Sequence, residues 1–282
     1  MSVHNEKPSF VSKQQQLYTD NRIFSNARKK KIAKDMLERY TGSSLAEYRK
    51  QIILTNFDYY VERFKLFPDA ILRKGSAMSV AHSAEKDVSI IDFSIGSPNA
   101  ALIIELLSVL EPTAVLFLGM CGGLHRSLKV GDFVLPVAAI RDEGASRHFM
   151  PSQVPALPTF KIQKFISQMI IEKGYDYRTG VVHTTDYRFW EFNERFKETL
   201  YEERALAIEM ECATLFIAGF ACKVPIGAIL LVSDLPLKRG GIKTKKSAKK
   251  VFRKFTDIHL EVGIKAMSEI AHRGEHIRHY KW

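Results

Sequence analysis

Residues 205–237 read ALAIEMECATLFIAGFACKVPIGAILLVSDLPL, and three patterns follow one another in them. The apolar run 205–208 breaks on Glu209-Met210-Glu211. A segment of helical spacing comes next, with Ala213, Phe216, Ile217 and Phe220 on one face. The β-branched and aliphatic run 226–232 then stops on Ser233-Asp234. Strand, helix, strand is a unit of buried sheets, and the connection predicts a parallel pair. In open α/β sheets ligands bind beyond the carboxyl ends of strands, and both runs end on acids. Two carboxylate clusters delivered to one sheet edge are the chain's best candidate for chemistry.

Working outward, the same alternation of elements fills the chain. Strands are predicted over 77–81, 88–95, 113–118, 132–140 and 178–184, and helices over 100–110 and 159–173. Pro98 sits well for the first turn of the former helix. Ahead of the sheet, residues 28–40 repeat Ile32, Met36, Leu37 and Tyr40 at helical spacing. A second helix is predicted over 44–67, with Tyr48, Ile52, Phe57, Tyr60, Val61 and Phe64 as its stripe and Pro68 as its stop. A long helix over 247–273 closes the fold. Residues 1–18 look like a mobile arm, and the last nine are basic and aromatic.

Composition bounds the function class. With 282 residues, 46% of them hydrophobic, the chain can bury one large α/β core with an appendage. A net charge of +11 suits an anionic substrate or partner, or simply a solvated basic surface. Cys121, Cys212 and Cys222 are odd in number and lie in apolar surroundings, which fits buried thiols in a cytoplasmic protein. No apolar run reaches the roughly 18–20 residues a membrane span needs. The start of the chain has no signal-peptide core. The histidines show no metal-ligand spacing, so no metal is expected.

Several constellations could hold a ligand. Gly96-Ser97-Pro98-Asn99 and the glycines 119, 122 and 123 sit at strand ends, where backbone N–H groups can approach an anion. Glycine turns that only close the chain look the same. Neither set fits a dinucleotide fingerprint or a P-loop, which argues against a nicotinamide or ATP site and leaves no cofactor expected. Glu209 and Glu211 share a face if the chain there is extended and diverge if the helix begins between them. Asp234 could be an acid or a cap. Residues 238–254, KRGGIKTKKSAKKVFRK, carry no acid. They read as a nucleic-acid patch, a cationic lid over a phosphate, or a solvated helix start.

Taken together these motifs resemble the nucleoside phosphorylase and nucleosidase superfamily. The resemblance is carried by Gly119-x-Cys121-Gly122-Gly123, Gly131-Asp132, Arg141-Asp142-Glu143-Gly144-Ala145-Ser146-x-His148, Glu209-Met210-Glu211 and Ser233-Asp234, in that order. Within it the chain is most similar to the AMP nucleosidases, through Arg39-Tyr40-Thr41-Gly42, Leu54-Thr55-Asn56-Phe57, Thr184-Thr185-Asp186-Tyr187-Arg188-x-Trp190-Glu191 and Ser233-Asp234-x-Pro236-Leu237. It looks like their short, catalytic-domain form.

The resemblance implies a three-layer αβα fold with a mixed central sheet. Residues 1–70 would form an arm and helices packed on the core, and 71–282 the catalytic domain. It also implies an activity: AMP and water would give adenine and ribose 5-phosphate. Asp234 matches the family's acid near purine N7, and Glu211 the residue that holds the ribose hydroxyls. Met210 would line the sugar and Glu209 would lie behind it, with Ser233, Gly96, Asn99 and Gly122 close by. One of Tyr187, Phe189 and Trp190 would stack on the base, and Lys243 or Arg141 would meet the 5′-phosphate.

Phosphorylases of the family carry an arginine and a serine where this chain has Phe117 and Met120. Neither can bind a phosphate nucleophile, so hydrolysis is favoured over phosphorolysis. A purine nucleoside phosphorylase, a nucleosidase indifferent to the 5′-phosphate, and a non-catalytic nucleotide- or RNA-binding protein are the alternatives. The resemblance further implies a homo-oligomer, commonly a hexamer built from dimers, with phosphate as a possible effector and no nucleic-acid or membrane partner.

Overall fold

The computed structural model describes residues 27–274 and residue 277; the expected arm and most of the basic tail lie outside them. The described chain enters as α1 (Ala27–Thr41), which buries Ala33, Leu37 and Thr41. It continues through β1 (Gln51–Thr55), α2 (Asp58–Phe64), β2 (Ile71–Lys74), β3 (Ser79–Ser83) and β4 (Val88–Asp92). α3 (Ser97–Leu107) starts after Gly96, with Pro98 in its first turn. The long strands β5 (Ala114–Gly123) and β6 (Phe133–Asp142) lead to α4 (Phe160–Glu172), β7 (Tyr177–Thr185) and α5 (Glu194–Glu202). Residues 205–237 become β8 (Ala207–Glu209), α6 (Cys212–Cys222) and β9 (Ile226–Asp234), and α7 (Lys245–Lys254) and α8 (Thr256–His272) follow.

Side-chain alternation on the strands sorts the core into two layers. Ile52, Leu54, Val115 and Phe117 enter one apolar cluster, beneath α3 and α6. Ile53, Ala114, Leu116 and Leu118 enter the other, beneath α2, α4 and α8. The sheet between them is mixed, in the order β2-β3-β4-β1-β5-β8-β7-β6-β9, and β9 also pairs with β5. The second half of the sheet therefore closes on itself, and the carboxyl ends of β1, β5 and β9 come together. No helix among the described residues is long and apolar enough to cross a membrane.

Four expectations change. The helix predicted over 44–67 is interrupted by β1, which lies between β4 and β5 and pairs parallel with both. A strand buried on both faces shows a continuous apolar run, and Gln51–Thr55 is buried throughout, so periodicity misread it. The division expected at residue 70 consequently follows no seam, because residues 51–55 sit in the middle of the sheet. β8 and β9 are not a parallel pair: β8 runs antiparallel to β5 while β9 runs parallel to it. The helix predicted over 247–273 breaks at Phe255, whose ring packs against Gly131. Gly131 has φ +103 and its Cβ position would fall 2.5 Å from that ring, so only glycine fits. Besides these, the edge strand β2 is not among the predicted strands: its residues are mostly exposed and show no alternation to announce it.

Candidate active site

Beyond the carboxyl ends of β1, β5, β7, β8 and β9 the chain encloses a cavity of about 230 Å³. Ile95, ahead of α3, and Lys243, ahead of α7, complete its wall. A larger groove of about 620 Å³ lies between α2 and α8. It is lined by Arg63 and Asp257, paired at 2.8 Å, and by further charged side chains of α8.

At the end of β8 the two glutamates have different jobs. Glu209 accepts the N–H groups of Glu211 at 2.8 Å and Cys212 at 2.7 Å through one oxygen, and the Thr184 hydroxyl through the other. It thereby satisfies the open N-terminus of α6. Glu211 accepts the Gly96 N–H at 2.8 Å, while the Ser97 hydroxyl donates to the Met210 carbonyl at 2.7 Å. Gly96 has φ +100, which glycine adopts freely. Burial pushes the Glu211 carboxyl up to about 8, and the neighbouring Glu209 charge adds to it. Burial raises Glu209 too, against the pull of the Thr184 hydroxyl and the two backbone donors. Each carboxyl therefore keeps its proton to higher pH than a solvated glutamate does.

Asp234 ends β9 beside Gly122 of β5. The Ser233 hydroxyl donates to it at 2.6 Å. Burial raises its carboxyl above the usual range, more than that hydroxyl and the charges of Lys243 and Arg188 lower it. Lys243 lies with Nζ 3.6 Å from the Met120 sulfur and 5.5 Å from the centre of the Phe57 ring. Burial makes its ammonium easier to deprotonate, opposed by the charge of Asp234. The Cys121 thiol also lines the cavity, but burial pushes it well above the ordinary range and leaves it a poor nucleophile.

Of the residues singled out in the sequence, Asp234, Glu211, Glu209, Met210, Ser233, Gly122, Tyr187, Trp190 and Lys243 line this one cavity. Gly96 reaches it through Glu211. Three do not reach it. The Arg141 guanidinium donates to the Ser146 hydroxyl and to the carbonyls of Met150, Pro151 and Val154, so it braces a loop instead of meeting a phosphate. Asn99 donates to the Ile95 carbonyl at 3.0 Å, within its own turn. Phe189 is 68% exposed and lies outside the wall, whereas Trp190 is buried against Phe196. Phe117 is fully buried against Phe93, and Met120 supplies only a thioether to the wall.

Other lining residues had no role assigned from the sequence: Asn56, Thr185, Arg188 and Glu191. All stand at or beyond the ends of β1 or β7 inside stretches that carried the resemblance, which is the signal that could have found them. Asn56 hydrogen-bonds Glu211 and keeps its Oδ1 without a partner among the described residues. Among the described residues no group of three or more His, Cys, Asp or Glu could hold a metal ion.

Comparison with known proteins agrees with this fold. A family model described as the phosphorylase superfamily matches residues 72–266. The AMP nucleosidase of Escherichia coli strain K12 is 28% identical over 301 residues, covering 91% of this chain and 62% of the relative. The chain thus spans about 62% of the length of that curated relative. A guanosine phosphorylase of Halorubrum lacusprofundi is 29% identical over 52% of this chain and 60% of its own length. Among solved structures, AMP nucleosidase from Bacteroides thetaiotaomicron VPI-5482 superposes with a TM-score of 0.77 at 39% identity, over 87% of this chain and 99% of that one. Uridine phosphorylase from Vibrio fischeri ES114, at 20% identity, shares the fold, with a TM-score of 0.71 over 80% of this chain and 94% of that one.

Proposed function

The chain belongs to the phosphorylase superfamily, and we propose that it is an N-glycosyl hydrolase that converts AMP and water to adenine and ribose 5-phosphate. One observation carries this reading. Asp234 and the Glu209–Glu211 pair share a cavity, and β5 beside it carries Phe117 and Met120 at the two positions where the superfamily's phosphorylases have an arginine and a serine for inorganic phosphate. The similarity to AMP nucleosidases supports the choice of substrate.

Each group has a task that its surroundings suit. The C1′–N9 bond breaks with its electron pair going to the purine, and Asp234 passes a proton to N7 so that a neutral base departs. Burial keeps that carboxyl protonated at higher pH than usual. Glu211 accepts the ribose hydroxyls, and the positive charge growing on the sugar favours its ionised form. Water adds to C1′ and releases its proton, restoring the acid. Asn56, at the end of β1, is an amide and can orient that water without taking its proton. Lys243 and Arg188 are the cations in the wall, and Lys243 would meet the 5′-phosphate. Tyr187 and Trp190 would flank the base.

Adenine release tests the reading. AMP should yield adenine at a rate independent of phosphate as reactant, and adenosine and inosine should be poor substrates. No adenine from AMP, with tight and steeply salt-dependent RNA binding instead, would overturn it. We further propose a cytoplasmic homo-oligomer, a hexamer built from dimers, on which phosphate acts as an effector. Light scattering and a phosphate titration of the AMP assay check these points.

A further inference from the structure

Glu191 is a buried acid that the chemistry above does not use. It lies in a short 3-10 turn, Trp190–Phe192, just beyond β7, and its side chain is 5% exposed. Arg188 Nη1 donates to one carboxylate oxygen at 3.0 Å. The other oxygen is covered and has no hydrogen-bond partner among the described residues. Buried carboxylate oxygens are rarely left idle in folded proteins. The residue lines the same cavity as Asp234, Tyr187 and Trp190, which places it at the end where the purine would sit. Its charge also bears on Asp234, raising that acid's hold on its proton.

The chemistry of the purine edge says what such an oxygen could accept. Adenine presents N7 as an acceptor and its 6-amino group as a donor, side by side; a 6-oxopurine presents two acceptors there. An acid that gives its proton to N7 therefore has the 6-substituent as its immediate neighbour. We propose that Glu191 is the specificity-determining residue of this site: its idle oxygen accepts a hydrogen bond from the exocyclic 6-amino group, so that 6-aminopurine nucleotides are selected over 6-oxopurine ones. This rests on the placement of Asp234 at N7. Arg188 fixes the carboxylate in the cavity wall, and a carbonyl at position 6 would meet a negative charge there instead of a donor.

The test is Glu191→Gln, assayed with AMP and IMP, beside calorimetric binding of adenine and hypoxanthine to the wild-type protein. The wild type should prefer AMP by about 100-fold or more in kcat/KM, as sites built around a polar group do. An amide can offer its NH₂ as readily as its oxygen, so in the variant that ratio should fall by at least about 30-fold. A folded variant whose ratio stays within about threefold of the wild type overturns the proposal. A second measurement needs no variant. The 6-unsubstituted purine ribonucleotide lacks the donor without added bulk, and cleavage by wild type as efficiently as AMP also overturns it. If the protein hydrolyses neither nucleotide, the hydrolase reading fails on its own. Equal binding of adenine and hypoxanthine would then be what sinks the role of Glu191.

Discussion

The two ends of the cavity are built differently. At the sugar end, both oxygens of Glu209 are bonded to the α6 terminus and Thr184, and Glu211 is held by the Gly96 N–H. Its acids stand at the end of β8 and at the cap of α6, and the groups that fix them are largely backbone. At the base end, Asp234 has one hydroxyl donor, Glu191 keeps an idle oxygen, and Arg188 and Tyr187 are 54% and 43% exposed. A ribose is common to every ribonucleotide, and a rigid end suits it. The base is what distinguishes them, and the less saturated end is where groups remain to read it.

Substitutions can break this contrast or sharpen it. Asp234→Asn removes the proton donor while keeping the shape, and should lower kcat for AMP by about 10³-fold with KM little changed. Activity within a few fold of wild type would mean that another group protonates the purine. Glu211→Gln should cost less, about 10²-fold in kcat/KM, because the amide still accepts from a ribose hydroxyl but no longer balances the sugar cation. Equal losses for the two variants would erase the distinction between an acid that reacts and one that holds. Lys243→Ala should raise KM for AMP about tenfold and leave kcat within a few fold, as expected for a contact to a spectator phosphate. A fall in kcat with KM unchanged would place Lys243 with the reacting atoms instead.

The smallest expected effect is on stability. The folded-state carboxyl of Glu211 is raised to about 8 from an ordinary 4.5, so the native chain keeps a proton that the unfolded chain has lost between those values. Stability contributed by that proton is present at the acid side and is lost as pH rises across this window. Thermal unfolding of Glu211→Gln should therefore vary less with pH between 5 and 8 than that of the wild type. Parallel profiles would show that the strain of burying two acids is relieved elsewhere. Activity should likewise decline at alkaline pH as Asp234 loses its raised proton.

Much of this contrast was legible beforehand, and what was not has physical causes. Glu209, Glu211 and Asp234 could be found because each interrupts an apolar run where a buried strand ends. β1 was hidden by its own burial: with both faces covered, QIILT lacks the alternation that marks a strand, and its flanking aromatics mimic a helical stripe. The antiparallel course of β8 depends on closure of the sheet, which is set by pairings between strands far apart in sequence. Arg141 sat in a family motif and still proved to be a brace, since sequence does not say which carbonyls fold back upon a guanidinium. Glu191 was in plain view beside Trp190, but an unused hydrogen-bond position exists only once the fold has closed around it.

The choice of water over phosphate as nucleophile is tested most directly by following AMP turnover in phosphate buffer by ³¹P NMR. Hydrolysis gives ribose 5-phosphate as the new sugar product, with free phosphate undiminished. Ribose 1,5-bisphosphate formed at the expense of inorganic phosphate would contradict it, and with it the meaning assigned here to Phe117 and Met120.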